Sequence, residues 1–533
     1  MKINKKTAAI VAAGLLVCGA GAAAYRVLGW GHLGPVNSLR LDLSKPDALI
    51  VTRSLSALPR DLLSVPLARD VLREDFLFYY EQNEDRLGLK GTLRRIAYEH
   101  ALTWGDQLIR MVLDEPAEVA LWRDADGALK HFAIAVSRGT FTRLLEESGK
   151  IALKDSQLSV AGSVRVDGDK VPVYALAYAS NRTLLFAARG SRMVILSHPG
   201  MLYGEGGAAG DGTAEQTVAA LLAADPAKRQ LLRRQFQLDG AAPEGHSVAV
   251  KADFLSFGYQ PFFGALDALR FDFTTGGGWS TRALIDGAKL QPGGYDSAAL
   301  WPVLPHDPSA CFSLPVDWAS TQAVLSKLSA HSKTPVSALS ERLSGPAAVC
   351  WYGNSRLYTP VFVATVKPGA SVDGLYDSLF EAAIGRAGAG PVQKKSAGQG
   401  RTVWRREVKT ALGNQHPSMG QSGRTVVFSA DAALVERVLA VARKQGAAAA
   451  DRLPEPARTV GLIAPAALAD LIRKETFDVL PAAGEPVLRG AADAHLVPRL
   501  NALKKYPAYR MVLTTAPTGG LAWLPVAWQA IDK

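Results

Sequence analysis

Cysteine is scarce in this chain, with three residues in 533. None stands in a C-x-x-C pair, which excludes the common zinc-ribbon and dithiol redox classes. Histidine is also sparse: nine residues are dispersed along the chain and no H-E-x-x-H occurs, so the usual helix-borne zinc hydrolase is absent. There is no G-x-x-x-x-G-K-[ST] to cradle phosphates, no G-x-S-x-G nucleophile elbow and no S-x-x-K of acyl-serine enzymes. The nearest miss, Gly420-Gln421-Ser422-Gly423, lies in a polar stretch before a strand-like run, without the strand–turn–helix context that exposes a reactive serine. The Gly-rich loop Gly204 to Gly212 lacks the G-x-G-x-x-G order and reads as a surface loop, as does Gly385 to Gly390. Basic residues interleaved with aromatics, the mark of a stacking nucleic-acid groove, are nowhere sustained, so no nucleic-acid partner is expected.

What is present is ample apolar material. Hydrophobic residues make up 48% and charged residues 20%, the balance of a folded protein with a sizeable core. At about 100–200 residues per domain, the length predicts two to four domains. The net charge of +11 would favour an acidic partner. However, the basic residues are scattered, and pairs such as Arg94-Arg95, Arg233-Arg234, Lys394-Lys395 and Arg405-Arg406 read as solvated faces.

Charge is missing altogether between Lys6 and Arg26. Residues 7–25 form an apolar, Ala/Gly-rich run behind three lysines, near the roughly 20 residues a membrane-spanning helix needs. Lysine before the run and not after it places the amino end in the cytoplasm. Ala22-Ala23-Ala24 also offers a signal-cleavage site, so a retained anchor and a cleaved signal both remain open. Either way, residues 1–30 deliver the rest to the periplasmic side of an inner membrane, as a single-pass ectodomain or as a secreted protein. Cys18 lacks the small residue before it that a lipoprotein site wants, because Val17 stands there. Cys311 and Cys350 sit in short apolar runs resembling neighbouring strands. Outside the cytoplasm they can form a disulfide, or they can be two buried thiols acting as small hydrophobes.

The chain also repeats itself. Pro116 to Leu145 aligns without a gap on Pro346 to Leu375, each reading strand, turn, strand and helix. Asp126-Gly127 and Gly353-Asn354 supply the turns, and Phe132 to Val136 matches Phe362 to Val366. Upstream, Asp47-Ala-Leu-Ile-Val51 corresponds to Ser309-Ala-Cys-Phe-Ser313. Downstream, Thr183 to Ala187 with Met193 to Leu196 resembles Thr425 to Ser429 with Leu434 to Leu439. Further on, Ser247 to Val250, Phe271 to Phe273 and Trp279 to Ile285 parallel Thr459 to Ile463, Tyr509 to Thr514 and Leu521 to Trp528. The expected fold class is therefore α+β and internally duplicated: two copies, each an antiparallel sheet with helices on one face, behind the N-terminal helix. Residues 40–290 form the first copy and 305–533 the second, divided in the Gly/Pro-rich stretch Gly287 to Pro308. The first copy carries helical insertions over Phe76 to Leu113 and Thr213 to Phe236.

No convergent acid, base and nucleophile set emerges, and neither a catalytic residue, a cofactor nor a metal is assigned. The candidate interaction surface is the polar face of the inserted helix: Arg86, Arg94, Arg95, Glu99 and His100. Its plain alternative is an Arg95–Glu99 surface pair with His100 beside it.

Three stretches resemble a known family: Leu41-Asp-Leu-Ser-Lys-Pro-Asp-Ala-Leu-Ile50, then Ser54-Leu-Ser-Ala-Leu-Pro-Arg-Asp-Leu-Leu63, then Glu84-Asp-Arg-Leu-Gly-Leu-Lys-Gly-Thr-Leu-Arg-Arg-Ile-Ala-Tyr-Glu-His100. They are similar to domain-of-unknown-function family 2138 of Gram-negative bacteria, over essentially everything after the apolar run. The resemblance brings no activity or catalytic residue. It implies a neighbourhood with bacterial alpha-2-macroglobulin-like proteins, the periplasmic traps for invading proteases. The expected function is thus a non-enzymatic envelope protein presenting an interaction surface to such a partner. The alternatives are an envelope hydrolase or transferase with a site between the two copies, and a basic module for an anionic polymer or lipid.

Overall fold

The computed structural model describes residues 39, 41–55, 57–72, 115–124, 129–137, 157–179, 182–203, 213–238, 244–255, 264–290, 297–322, 338–357, 359–370, 390–397, 401–410, 413–479 and 486–531. Among the described residues, twenty strands belong to one antiparallel hydrogen-bonded sheet, and two more form a separate ribbon. Two compact units divide the chain: Cys18–Lys251 with Arg270–Trp279, and Ala252–Leu269 with Ser280–Lys533. The first copy expected over 40–290 therefore contributes 252–269 and its residues from 280 onward to the C-terminal unit.

In the N-terminal unit the central strand is β1 (Ala48–Thr52), five consecutive buried residues, Ala-Leu-Ile-Val-Thr. Such an unbroken apolar run has no solvent face to alternate with. β1 pairs on one side with β2 (Ala117–Arg123) and on the other with β8 (His246–Lys251). The sheet continues from β2 through β3 (Leu129–Ser137) and β7 (Arg192–Leu196) to β6 (Arg182–Arg189), β5 (Asp169–Ala179) and β4 (Leu158–Val166). Helices α1 (Ala57–Ser64) and α2 (Pro66–Leu72) follow β1; α3 (Thr213–Leu222), α4 (Pro226–Arg229) and α5 (Leu231–Gln235) follow β7.

A hairpin of β9 (Leu266–Phe273) and β10 (Trp279–Asp286) leads into the C-terminal unit, where β11 (Ala310–Leu314) is central. β11 pairs with β12 (Leu343–Trp351) and with β20 (Thr459–Ile463). From β12 the order runs through β13 (Val361–Val366), β19 (Thr425–Ser429), β18 (Ser418–Ser422) and β15 (Arg401–Arg405) to β14 (Gln393–Ala397). β20 continues through β21 (Ala508–Leu513) and β22 (Leu521–Ile531) to β10. β16 (Val408–Thr410) and β17 (Gly413–Gln415) are the separate ribbon.

These observations correct the expected fold class. Two α+β copies with helices on one face were anticipated; the structure is dominated by one twenty-stranded antiparallel sheet, and helices are a minority of the described residues. Both faces of the C-terminal unit's central strands are buried. Cys311, Ala348, Val363 and Val427 pack with Trp301, Leu434 and Val438 on one side, whereas Val349, Ala364, Trp404 and Met419 pack with Val316 and Trp318 on the other. The stretch Leu434 to Leu439, aligned by sequence on Met193 to Leu196, is helical, whereas Met193 to Leu196 lies in β7. The helical stretch lies in α6 (Ala432–Ala442), whose N-terminus is capped where Asp431 Oδ1 accepts from Ala433 N at 2.8 Å. Leu434, Val435, Val438 and Leu439 recur at helical spacing and are fully buried. α6 ends where Lys444 takes a positive φ of 62°, with Gln445 N bonding Ala440 O and Lys444 N bonding Val441 O, a Schellman closure. Gly420 on β18 lets the helix close in, since a Cβ there would stand 2.6 Å from Leu439 Cδ1.

Among the described residues no helix is long and apolar enough to cross a membrane, and the apolar run 7–25 lies outside them. The insertion expected over Phe76 to Leu113 also lies outside them.

Cys311 and Cys350 stand directly opposite on β11 and β12 and are joined by a disulfide spanning 39 residues of chain. Closing a loop of that length restricts the unfolded chain. Replacing both cysteines by serine, or reducing the bond, is expected to lower the unfolding free energy by about 2–4 kcal/mol. Urea titrations of the oxidised and reduced full-length protein check this; coincident curves would contradict it.

Candidate functional site

Among the described residues, a polar group of chemistry-bearing composition lies at the C-terminal end of β1. Thr52, the last residue of that strand, is in register with His246, the first of β8. Its Oγ1 lies 2.7 Å from His246 Nδ1, and on the other side of the ring Nε2 lies 2.9 Å from Asp61 Oδ2. Asp61 comes from α1, whose first turn is fixed by Ser54: its Oγ accepts from Ala57 N at 3.2 Å. Around the carboxylate, Thr275 Oγ1 donates at 2.9 Å, Arg60 Nε at 3.2 Å and Arg53 Nη2 at 3.4 Å. Arg53 also bonds Thr275, closing the ring of contacts.

Hydroxyl, imidazole and carboxylate thus follow the hydrogen-bond order of a nucleophile, its base and the group that orients the base. Burial pushes the imidazole's pKa down and outweighs the hydrogen bond to Asp61 that pulls it up, so the ring is neutral at neutral pH. Nε2–H then donates to Asp61, and the Nδ1 lone pair faces a Thr52 hydroxyl whose single proton it shares with Ser54 O, 2.8 Å from Oγ1. Burial also pushes the Asp61 carboxyl up, but the donors from His246, Thr275 and Arg60 prevail and hold it at about 2. Asp61 is therefore an acceptor at any physiological pH.

Access decides what this arrangement does. Thr52, His246 and Asp61 are each 1% exposed. Thr52 Oγ1 is further occupied by Ser54 N at 3.1 Å. No acyl carbon can approach a hydroxyl enclosed in this way, so the cluster ties α1 and the turn at Thr275 to the ends of β1 and β8. Sequence reasoning missed all three residues. They lie 194 and 185 positions apart along the chain, and no local spacing announces them.

The surface proposed from sequence, Arg86, Arg94, Arg95, Glu99 and His100, lies outside the described residues, as does the loop Gly204 to Gly212. Gly420 to Gly423 sits at the end of β18 and the turn into β19, with Gly423 at φ 55°. Cys311 and Cys350 are the bonded pair described above, both wholly buried. Among the described residues, no group of three His, Cys, Asp or Glu is placed to hold a metal ion.

Two further buried histidines, His131 and His198, meet edge to face with ring centres 6.2 Å apart. Burial, with His198 and Lys130 nearby, pushes His131 down to about 4. Burial, with Lys130, also lowers His198, whose Nδ1 accepts from Gly200 N at 2.9 Å.

Compared with known proteins, the chain matches over residues 6–528 the family described as "Uncharacterized protein conserved in bacteria (DUF2138)", and it belongs to that family. It is similar to "Uncharacterized protein YfaA" of Escherichia coli (strain K12), 34% identical over 527 residues covering 93% of this chain and 92% of that protein. No solved structure matches it.

Two expectations follow from the geometry. Asp61→Ala leaves a buried imidazole and two arginines without their acceptor and should cost about 3 kcal/mol or more, whereas Thr52→Val should cost about 1 kcal/mol. Chemical denaturation of both variants checks the ranking, and equal costs would refute it. The second concerns pH. The buried histidines are neutral when folded but titrate near 6.5 when unfolded, so the unfolded state takes up more protons as pH falls. Stability should drop from about pH 6.5 downward, His131 alone accounting for about 3 kcal/mol by its folded value of about 4. Unfolding midpoints at stepped pH check this, and His131→Gln should flatten the profile; an unchanged slope in that variant would count against it.

Proposed function

We propose that this member of the DUF2138 family is a non-enzymatic envelope protein. Residues 1–30 hold it to, or deliver it across, the inner membrane. The folded part presents an interaction surface to a periplasmic partner of the alpha-2-macroglobulin-like type. The observation that carries the reading is the sealing of the Thr52–His246–Asp61 set: the residues best suited to nucleophilic chemistry are enclosed, each 1% exposed. Two features support the compartment. The uncharged run behind Lys2, Lys5 and Lys6 is of membrane-spanning length, and the disulfide between Cys311 and Cys350 is a bond that persists outside the reducing cytoplasm.

Binding rather than catalysis also suits the apolar side chains left on the sheet. Val160 on β4 is 54% exposed and Phe428 on β19 is 37% exposed, while most large apolar residues around them are covered. Val160 stands at an irregularity in the β4–β5 register, a feature that turns a strand's side chains and blunts further strand addition.

A photo-crosslinking amino acid at position 160, and separately at 428, tests the reading in intact cells. The expected result is a discrete adduct to an alpha-2-macroglobulin-like protein from one of the two positions. Full accumulation of the protein with only abundant bystanders captured from both would overturn the partner assignment.

A further inference from the structure

Among the described residues, the face of the N-terminal unit beneath α3 to α5 brings several arginines near one buried glutamate. Glu118 on β2 stands in register with Val51 on β1 and Ala135 on β3, and that row continues to Val194 on β7. Arg192, two residues before Val194, therefore shares the face of Glu118. From above, α5 brings Arg233, whose Nε donates to Glu118 Oε1 at 2.7 Å. Arg229, one helical turn earlier at the end of α4, donates from Nη2 to Ala224 O at 2.8 Å. Glu118, Arg229 and Arg233 all lie within electrostatic reach of Arg192.

Arg192 thus has one carboxylate and two further guanidinium groups within electrostatic reach. The fold leaves specific atoms unused there. The Nε of Arg192 and the Nε of Arg229 are buried without a hydrogen-bond partner, and so is Glu118 Oε2. Buried donors and acceptors left unmade are costly, and so is excess charge of one sign away from water. Two N–H donors with surplus positive charge call for an oxyanion, and guanidinium groups match its geometry. The free carboxylate oxygen beside them calls for a ligand that also carries a proton. Hydrogen phosphate meets both demands: its oxygens accept from the arginines and its P–O–H donates to Glu118. Sulfate and a phosphodiester, having no proton near neutral pH, would set an oxygen against the carboxylate.

We propose that Arg192, Arg229, Arg233 and Glu118 form a binding subsite for a singly protonated phosphate group, free or as a monoester. The test titrates the purified full-length protein calorimetrically with inorganic phosphate, glycerol phosphate and sulfate at matched ionic strength. Saturable binding of phosphate, with sulfate weaker by about tenfold or more, is expected. Glycerol phosphate binding tighter than inorganic phosphate would identify a monoester as the ligand, and the reverse order would identify the free ion. Arg192→Gln and Arg229→Gln should each weaken phosphate by about tenfold, with Arg192→Lys intermediate. Glu118→Gln gives a readout that mere damage cannot imitate: sulfate binding should strengthen and the preference for phosphate should vanish. Circular dichroism confirms that each variant is folded, and Arg229→Gln on the covering helix serves should the strand variants fail. Absence of saturable phosphate binding, equal binding of sulfate, or arginine variants indistinguishable from the parent would each overturn the proposal.

Discussion

Two five-residue strands, Ala48–Thr52 and Ala310–Leu314, are each paired on both edges, and the rest of each unit is arranged around them. A buried strand must place every N–H and C=O in a ladder, so both flanking strands are needed at once. Neither flank is local. β1 waits for β2 beyond residue 116 and for β8 beyond 245, and β11 for β12 and for β20 beyond 458. Loop closure grows only logarithmically with length, so such distant partners cost the folded state little. The cost falls on folding rate, because contacts far apart in sequence form late.

Each central strand is also tied sideways to a neighbour by side chains, and the two units use different chemistry for this. In the N-terminal unit the tie is polar: Thr52 reaches across to His246, and His246 reaches on to Asp61 of α1. In the C-terminal unit it is covalent, between Cys311 and Cys350 on directly opposed positions. The polar tie depends on protonation and the covalent one on redox environment. The two units therefore answer to different conditions, although their strand pairings follow the same order.

How much of this could be read from sequence depends on distance along the chain. The strand pairings were legible: Val119 to Trp122 lie on β2 beside β3, and Val349 and Cys350 lie on β12 opposite Phe362 and Val361 of β13, and short apolar runs close together in sequence are local signals; the turn expected at Gly353-Asn354 is instead part of the longer connection from Trp351 to Val361. The overall class was not. The unbroken apolar runs Ala-Leu-Ile-Val-Thr and Ala-Ala-Val-Cys are what a strand covered on both faces looks like. Read one hairpin at a time, however, they suggest small sheets with one helical face. The alignment of Leu434 to Leu439 on the strand residues Met193 to Leu196 fails for a related reason. A short Leu/Val-rich run fits strand or helix alike, and the Asp431 cap before it, with the chain reversal at Lys444 after it, is what decides. The Thr52–His246–Asp61 cluster was illegible because its members come from three elements and no two share a motif.

That cluster and the arginines around Glu118 show why residue type alone is a poor guide to function inside a fold. Thr52, His246 and Asp61 have the identities of a hydrolytic site, yet each polar atom among them already has a partner within the chain. A satisfied, enclosed network has no bonding capacity left for a substrate, and its value is to hold elements together. Glu118, Arg192 and Arg229 carry no catalytic signature, but they retain buried donors and an acceptor with nothing to bond. Native interiors tolerate few such atoms, because each forfeits the water it had in the unfolded chain. Unused bonding capacity, concentrated at one place and of complementary kinds, is the physical form a binding site takes before its ligand arrives.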